Sequence, residues 1–178
     1  MRCFIAIDLP KDVKKELSLI QDRIPEARMA LVKLENIHLT MKFLGEISES
    51  DVEKVKNALG ELKFKKFRAK LSGIGVFPGP AFIKVVWVGV GPKDKFEELH
   101  ATTECMLEEA GFAKDFDFEN HATLARVKFI PDKASFIKKL GEIKVKPIEF
   151  NVEGLCLRKS ILTEEGPIYE DLMKVDFV

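Results

Sequence analysis

The sequence predicts an α+β protein with two similar lobes, because one order of elements occurs in it twice. Each copy begins with an apolar, strand-like run, continues after a proline into an amphipathic segment, and ends in a strand that carries the tripeptide His-x-Thr. The two histidines, His38 and His121, are 83 residues apart, and the residues 33 positions before them, Ile5 and Val88, both lie in strand-like runs. We therefore expect a single bilobal domain, residues 1–178, with two antiparallel-rich sheets, helices on their outer faces and a central cleft.

The first half of the chain fits this order. Residues 3–7 read as a strand buried on both faces, and residues 10–22 as an amphipathic helix that follows a proline. A short extended segment at residues 29–34 leads to the first His-x-Thr strand. Ser48 or Ser50 can then cap a second helix.

The middle of the chain predicts two more strands and a helix. Residues 64–76 alternate apolar and polar side chains, which indicates a half-exposed antiparallel strand. Residues 77–80 predict a turn, and residues 82–90 predict the strand that follows it. A helix over residues 93–110 ends well at Gly111.

The end of the chain, after the second His-x-Thr strand, predicts a short helix and three strands. The helix begins near residues 131–133, and the first two strands cover residues 148–157 and 160–163. A turn at residues 166–167 then leads to the last strand, residues 168–178.

The two His-x-Thr tripeptides are the candidate catalytic groups. Side chains alternate between the two faces of a strand, so His38 and Thr40 point the same way, as do His121 and Thr123. The unperturbed pKa of histidine, about 6.5, lets one imidazole act as a base while another acts as an acid near neutral pH. The alternative is a pair of partly buried structural histidines. The third histidine, His100, lies in a predicted helix without a motif, and we expect it to pack there.

Composition restricts the classes of function. The 29 basic and 29 acidic residues give a formal net charge of zero, which argues against a broad basic face for long nucleic acids but allows a local phosphate site. No apolar run approaches the roughly 18 residues of a membrane span, and no leader is evident, so we expect a cytoplasmic protein. The three cysteines are widely spaced, which argues against a disulfide framework or a zinc site.

These residues resemble the 2H phosphoesterase superfamily, and within it the RNA 2′,3′-cyclic phosphodiesterases of bacteria and archaea, also called 2′-5′ RNA ligases. The stretches that carry the resemblance are residues 2–7, 36–45, 75–78, 86–90, 121–128 and 166–169. One departure is Asn120, where members of the group often have proline.

The resemblance implies hydrolysis of RNA 2′,3′-cyclic phosphate ends to 2′-phosphates. One histidine takes a proton from water and the other protonates the departing ribose oxygen, while Thr40 and Thr123 donate hydrogen bonds to the phosphate. The spacing does not decide which histidine is the base, and our working assignment is His121 as base and His38 as acid. No cluster with metal-ligand spacing is evident in the sequence, so we expect no metal or other cofactor.

Three further residues are candidates for substrate binding. Arg126 and Phe43 each follow a motif histidine by five residues, and they could bind a phosphate and stack on a base or ribose, respectively. Strict alternation puts both on the opposite face from the histidines unless a β-bulge intervenes. Core packing is the alternative for Phe43, and solvent exposure the alternative for Arg126. Lys42 shares the parity of His38, and we expect it to add positive charge to the cleft.

Two other functions remain open from the sequence. The same site could join a cyclic phosphate end to a 5′-hydroxyl without ATP, giving a 2′-5′ linkage. Alternatively, the protein could be a non-catalytic module that binds nucleotides or RNA. In each case the partners are RNA ends or small cyclic nucleotides, and we expect a monomer with no membrane association and no obligate protein partner.

Overall fold

The computed structural model describes all 178 residues, which form nine strands, four α-helices and a short 3₁₀ helix. In chain order the elements are β1 (Arg2–Asp8), α1 (Lys11–Gln21), β2 (Arg28–Leu31), the 3₁₀ helix (Leu34–Asn36), β3 (His38–Glu46), α2 (Glu49–Gly60), β4 (Phe67–Gly79), β5 (Phe82–Gly91), α3 (Lys93–Glu109), β6 (His121–Phe129), α4 (Lys133–Gly141), β7 (Glu149–Val152), β8 (Gly154–Thr163) and β9 (Gly166–Asp176). No helix is long and apolar enough to cross a membrane.

The strands form one antiparallel sheet in the order β7-β4-β5-β6-β3-β1-β8-β9, with β2 paired to β6. The two His-x-Thr strands, β3 and β6, are neighbours at the centre, where they share the single residue pair Leu39 and Ala122. Outside them lie β1 and β5, the first strands of the two copies. The predicted α+β class is confirmed, and the two predicted sheets are joined through the central residue pair.

The apolar core lies on the face of the sheet that the helices cover. In α1 the side chains of Val13, Leu17 and Ile20 recur every four and three residues and are fully buried. The Ser48 hydroxyl caps α2 by accepting from the N–H of Asp51 at 3.1 Å, as predicted for one of two serines. These helices leave the other face of the sheet free at its centre.

Three element boundaries differ from the prediction. The predicted turn at residues 166–167 lies inside β9, which begins at Gly166 after a turn at residues 164–165. Residues 77–80 do not form the turn; β4 continues to Gly79, where β5 is its only neighbour, and Pro78 is accommodated on this edge next to an irregularity of the β4–β5 register. The predicted break between strands 148–157 and 160–163 is also misplaced. The break lies at Glu153, between β7 and β8, and β8 runs without interruption to Thr163. There the chain passes from β7, which pairs with β4, to β8, which pairs with β1 in the other half of the sheet, and hydrophobic periodicity does not report such a crossing.

Candidate active site

A cavity of about 550 Å³ lies on the free face of the sheet, where β3 and β6 diverge beyond their single shared pair. Both His-x-Thr motifs line it. The eighteen lining residues include six candidates named from the sequence: His38, Thr40, Phe43, His121, Thr123 and Arg126.

The two histidine rings are held in the same way. Nδ1 of His38 lies 2.7 Å from the carbonyl oxygen of Asn36, and Nδ1 of His121 lies 2.7 Å from the carbonyl oxygen of Glu119, in each case two residues earlier. A carbonyl oxygen only accepts hydrogen bonds, so each Nδ1 carries a proton and each neutral ring has its lone pair on Nε2. The hydroxyl of Thr40 donates to Nε2 of His38 at 3.0 Å.

Aromatic rings enclose His38. The Phe4 ring lies 5.0 Å from the imidazole, and the Tyr169 ring meets it edge-on at 5.4 Å. Burial lowers the pKa of His38 to about 4, and the nearby Arg158 guanidinium acts in the same direction, although the hydrogen bond to the Asn36 carbonyl opposes the shift. Burial therefore favours the neutral form of His38 near neutral pH.

His121 has a matching but more open aromatic environment. The Phe77 ring meets it edge-on at 4.8 Å, and the Trp87 ring lies 6.0 Å away. Any side chain at Gly75 would collide with the Trp87 ring, so the glycine leaves the space that the indole occupies. Burial also lowers the pKa of His121, and the hydrogen bond to the Glu119 carbonyl opposes the change.

A β-bulge in each histidine strand brings Phe43 and Arg126 to the cleft. In β3, Thr40 pairs with Ala6 and Lys42 with Ile5, which leaves Met41 as the extra residue. One extra residue reverses the alternation, so Phe43 lies on the same face as His38 and is 68% exposed.

The second histidine strand has its bulge at the equivalent position. In β6, Thr123 pairs with Trp87 and Ala125 with Val86, which leaves Leu124 as the extra residue. Arg126 therefore lies on the cleft face and lines the cavity, although strict alternation predicted the opposite face.

The prediction that Lys42 adds charge to the cleft is wrong. The bulge at Met41 turns the Lys42 side chain to the helix-covered face, where it is buried and forms an ion pair with Glu104 of α3 at 2.9 Å. The same extra residue that brings Phe43 into the cleft therefore takes Lys42 out of it. The exposed lysines of residues 63–70 lie outside the cavity as well.

His100 is not part of the cleft, as expected. It is a buried residue of α3, and its ring stacks on Phe118 with the centroids 4.2 Å apart. Asn120, the departure from the related group, donates its side-chain N–H to the Val90 carbonyl at 2.8 Å and so packs against β5.

Several residues of the cleft were not identified as site residues from the sequence. Tyr169 and Phe77 come from strands distant in the sequence from the histidines they touch. Both lie in stretches that carry the family resemblance, but no His-x-Thr motif assigns them a role there. The pair Phe4 and Trp87 did have a signal, because these residues are separated by the same 83 positions as the two histidines. Beneath His38, the Arg158 guanidinium is held by Asp171 at 2.7 Å, a contact that sequence spacing does not reveal.

No three His, Cys, Asp or Glu side chains are grouped so that they could hold a metal ion. The cleft thus offers two imidazoles, hydroxyl donors and two guanidinium groups, those of Arg2 and Arg126. Such a set can accept a proton, donate a proton and bind an anion.

Comparison with known proteins gives consistent matches over most of the chain. The profile of the family described as LigT-like phosphoesterase matches residues 7–87 and, a second time, residues 88–169. The protein named RNA 2′,3′-cyclic phosphodiesterase from Methanocaldococcus jannaschii is 36% identical over 171 residues, which cover 96% of this chain and 97% of that protein. The protein of the same name from Thermotoga maritima is 34% identical and covers 99% of this chain and 96% of that protein.

Solved structures have the same fold. The crystal structure of TT0787 from Thermus thermophilus superposes with a TM-score of 0.82 at 30% identity and covers 99% of this chain and 97% of that one. The crystal structure of Escherichia coli LigT complexed with 3′-AMP gives a TM-score of 0.79 at 22% identity, with coverage of 99% and 97%, and shows the fold alone.

Proposed function

Because the chain belongs to the LigT-like phosphoesterase family, we propose that it hydrolyses the 2′,3′-cyclic phosphate at the end of an RNA strand to a 2′-phosphate. One observation carries the proposal: two histidines in one cleft each have Nδ1 fixed by a carbonyl 2.7 Å away, so Nε2 is the proton-transfer nitrogen of each ring, with the Thr40 hydroxyl 3.0 Å from that of His38. Two relatives that are 36% and 34% identical carry the name RNA 2′,3′-cyclic phosphodiesterase, which supports the choice of substrate.

In the proposed reaction, one histidine removes a proton from water as the water oxygen attacks phosphorus. The bond between phosphorus and the ribose 3′ oxygen breaks, and the second histidine protonates that oxygen. The products are a 2′-phosphate and a 3′-hydroxyl. The proton gained by the base and the proton lost by the acid are exchanged with solvent, which returns both rings to their starting states.

We assign the base to His121 and the acid to His38. His121 is the less enclosed of the two rings, which suits the group that meets water. His38 lies between Phe4 and Tyr169, away from bulk water, which suits the group that remains with the ribose oxygen.

The negative charge that develops on the phosphate must be stabilised by hydrogen-bond donors. Thr40 and Thr123 are candidates for neutral hydrogen bonds, and Arg126 for a bidentate, charge-assisted one. Phe43, which is 68% exposed at the rim of the same cavity, is the candidate for stacking on the base or ribose of the terminal nucleotide. Because these side chains can supply both proton transfers and the charge stabilisation, we propose that the reaction is independent of metal ions.

Product analysis tests the proposal. The purified protein is incubated with a 2′,3′-cyclic nucleotide, and the product is compared with authentic 2′- and 3′-phosphates by chromatography and ³¹P NMR. We expect the 2′-phosphate alone, and only a background level of it with His38→Ala. The 3′-phosphate as the main product, or no turnover with bound nucleotide, would contradict the proposal. A 2′-5′-joined product in the presence of a 5′-hydroxyl oligonucleotide would instead indicate ligation at the same site.

A further inference from the structure

A buried ion pair joins β3 to α3 on the helix-covered face of the sheet. Nζ of Lys42 lies 2.9 and 3.0 Å from the two carboxylate oxygens of Glu104, and the two side chains are only 3% and 5% exposed. Nζ also donates to the carbonyl oxygen of Ala113 at 2.8 Å and lies 3.3 Å from the carboxylate of Asp115. The ammonium group therefore donates two hydrogen bonds, to Glu104 and to Ala113, and Asp115 adds a second negative charge beside it.

The same ion pair anchors residues 112–120, the segment that leads into β6. The backbone N–H of Asp115 donates to Glu104 at 2.9 Å. Farther along, the Phe118 ring stacks on His100 at 4.2 Å, and Nε2 of His100 lies 3.5 Å from the Glu104 carboxylate. Glu104 thus holds the segment at two places, once directly and once through His100.

The last residues of this segment hold His121. The carbonyl of Glu119, next to Phe118, accepts the Nδ1–H of His121 at 2.7 Å. Asn120 ties the same residues to the Val90 carbonyl of β5. The direction and tautomer of the His121 ring therefore depend on where the anchored segment places the Glu119 carbonyl.

We propose that Lys42 is a positioning residue for His121. Through Glu104 it fixes residues 112–120, and this segment keeps His121 in the Nδ1–H tautomer with Nε2 directed into the cleft. Lys42 also follows His38 by four residues in β3, so the ion pair and the segment 112–120 that it anchors connect the two histidine strands on the face opposite the cleft. The effect on catalysis rests on the proposed function, but the effect on the His121 ring does not.

Stability alone does not account for the arrangement. Desolvation of two buried charges offsets much of their attraction, and apolar residues of similar volume often stabilise a fold as well as the ion pair does. Apolar residues would not, however, make the directed hydrogen bonds to the Ala113 carbonyl and the Asp115 N–H. These bonds act on the segment that carries the partner of His121.

The double variant Lys42→Met/Glu104→Leu tests the proposal, because it removes both charges and leaves neither unpaired. The protein has three histidines, so ¹⁵N-histidine labelling gives separate signals for each ring. We expect the His121 nitrogen shifts to change from those of a single Nδ1–H tautomer to those of a mixture, with the His38 shifts unchanged. We also expect kcat to fall about 10- to 10²-fold, the size of effect that misplacing a catalytic group produces, and the affinity for the 2′-phosphate product to change less.

The matched control is Lys56→Met/Glu53→Leu, which removes an exposed ion pair of 3.0 Å on α2. It should change neither the His121 shifts nor kcat. A folded Lys42→Met/Glu104→Leu protein with wild-type His121 shifts would overturn the proposal, even if its melting temperature were lower. If that protein does not fold, Glu104→Gln decides, because Asp115 still balances the Lys42 charge; wild-type His121 shifts in this variant would equally overturn the proposal.

The NMR result is independent of turnover. If the wild-type protein failed to hydrolyse cyclic phosphates, the proposed function would fail. A shift of the His121 tautomer equilibrium in the double variant would still establish the positioning role.

Discussion

Leu39 pairs with Ala122, and this is the only residue pair that joins the two histidine strands in the sheet. Each of the two residues directly follows a cleft histidine, so the antiparallel strands meet between the two rings and then diverge. Beyond this point β2, rather than β3, pairs with β6. The relative position of the two rings therefore depends on the packing of both halves of the protein. Substitutions in β3 and in β6 test the two halves separately.

Removing either cleft histidine should slow turnover strongly. We expect His38→Ala and His121→Ala each to lower kcat on a 2′,3′-cyclic nucleotide by about 10²- to 10⁴-fold, the usual contribution of general acid–base catalysis. His100→Ala should have a smaller effect, because His100 lies outside the cleft and can influence His121 only indirectly, through its contacts with Phe118 and Glu104. Equal losses in the three variants would show that the catalytic pair has been misidentified.

The acid and the base can be distinguished by the leaving group. The p-nitrophenolate group of a p-nitrophenyl phosphodiester departs without a proton. Hydrolysis of such a substrate therefore needs the base but not the acid. With His38 as acid, His38→Ala should retain a larger fraction of wild-type activity on this substrate than on a cyclic nucleotide, whereas His121→Ala should lose activity on both. The opposite pattern in steady-state rates would exchange the two roles.

The pH dependence of kcat/KM should be bell-shaped with its maximum below pH 6.5. Burial lowers the pKa of both cleft histidines from their usual 6.5, to about 4 for His38. Catalysis needs one ring protonated and one neutral; rising pH removes the proton from the acid, and falling pH adds one to the base.

The profile of kcat should lie at higher pH than that of kcat/KM, because a bound phosphate anion stabilises imidazolium and raises both pKa values. Both profiles are measured at constant ionic strength. A value of kcat/KM that keeps rising above pH 7 would be incompatible with these lowered pKa values.

Arg126→Lys should weaken binding without unfolding the protein. Arg126 lines the cavity, and its guanidinium can contact two phosphate oxygens at once, which an ammonium cannot do. We expect lower affinity for the 2′-phosphate product and for the cyclic substrate together, measured by calorimetry at fixed salt. Lys128→Ala, which removes a charge from the same strand outside the cavity, is the control. Equal product affinity of wild type and Arg126→Lys would remove Arg126 from the site.

Chelation should not affect turnover. The cleft supplies two imidazoles for proton transfer and a guanidinium for the phosphate charge, and we therefore expect full activity after dialysis against EDTA. The rate is compared before chelation, after it, and after a divalent ion is restored. Loss of activity in EDTA that returns with the ion would count against the proposed reaction.

Local patterns in the sequence were sufficient to predict most secondary structure and the two catalytic candidates. The period of 83 residues related His38 to His121, and apolar spacing predicted α1 and α3 because the buried face of a helix repeats every three to four residues. The same period would also have related Phe4 to Trp87. These features are visible in one dimension because they depend on neighbours along the chain.

Other features were decided only by tertiary structure. A single extra residue, Met41, exchanges the faces of Lys42 and Phe43, and its presence depends on how β3 aligns with β1 rather than on residue type. Tyr169 in β9 and Phe77 in β4 meet the histidines from strands that are not neighbours of the histidine strands in the sheet. Strand register and the order of strands are set by packing summed over the whole sheet, and alternation within one strand carries no information about either.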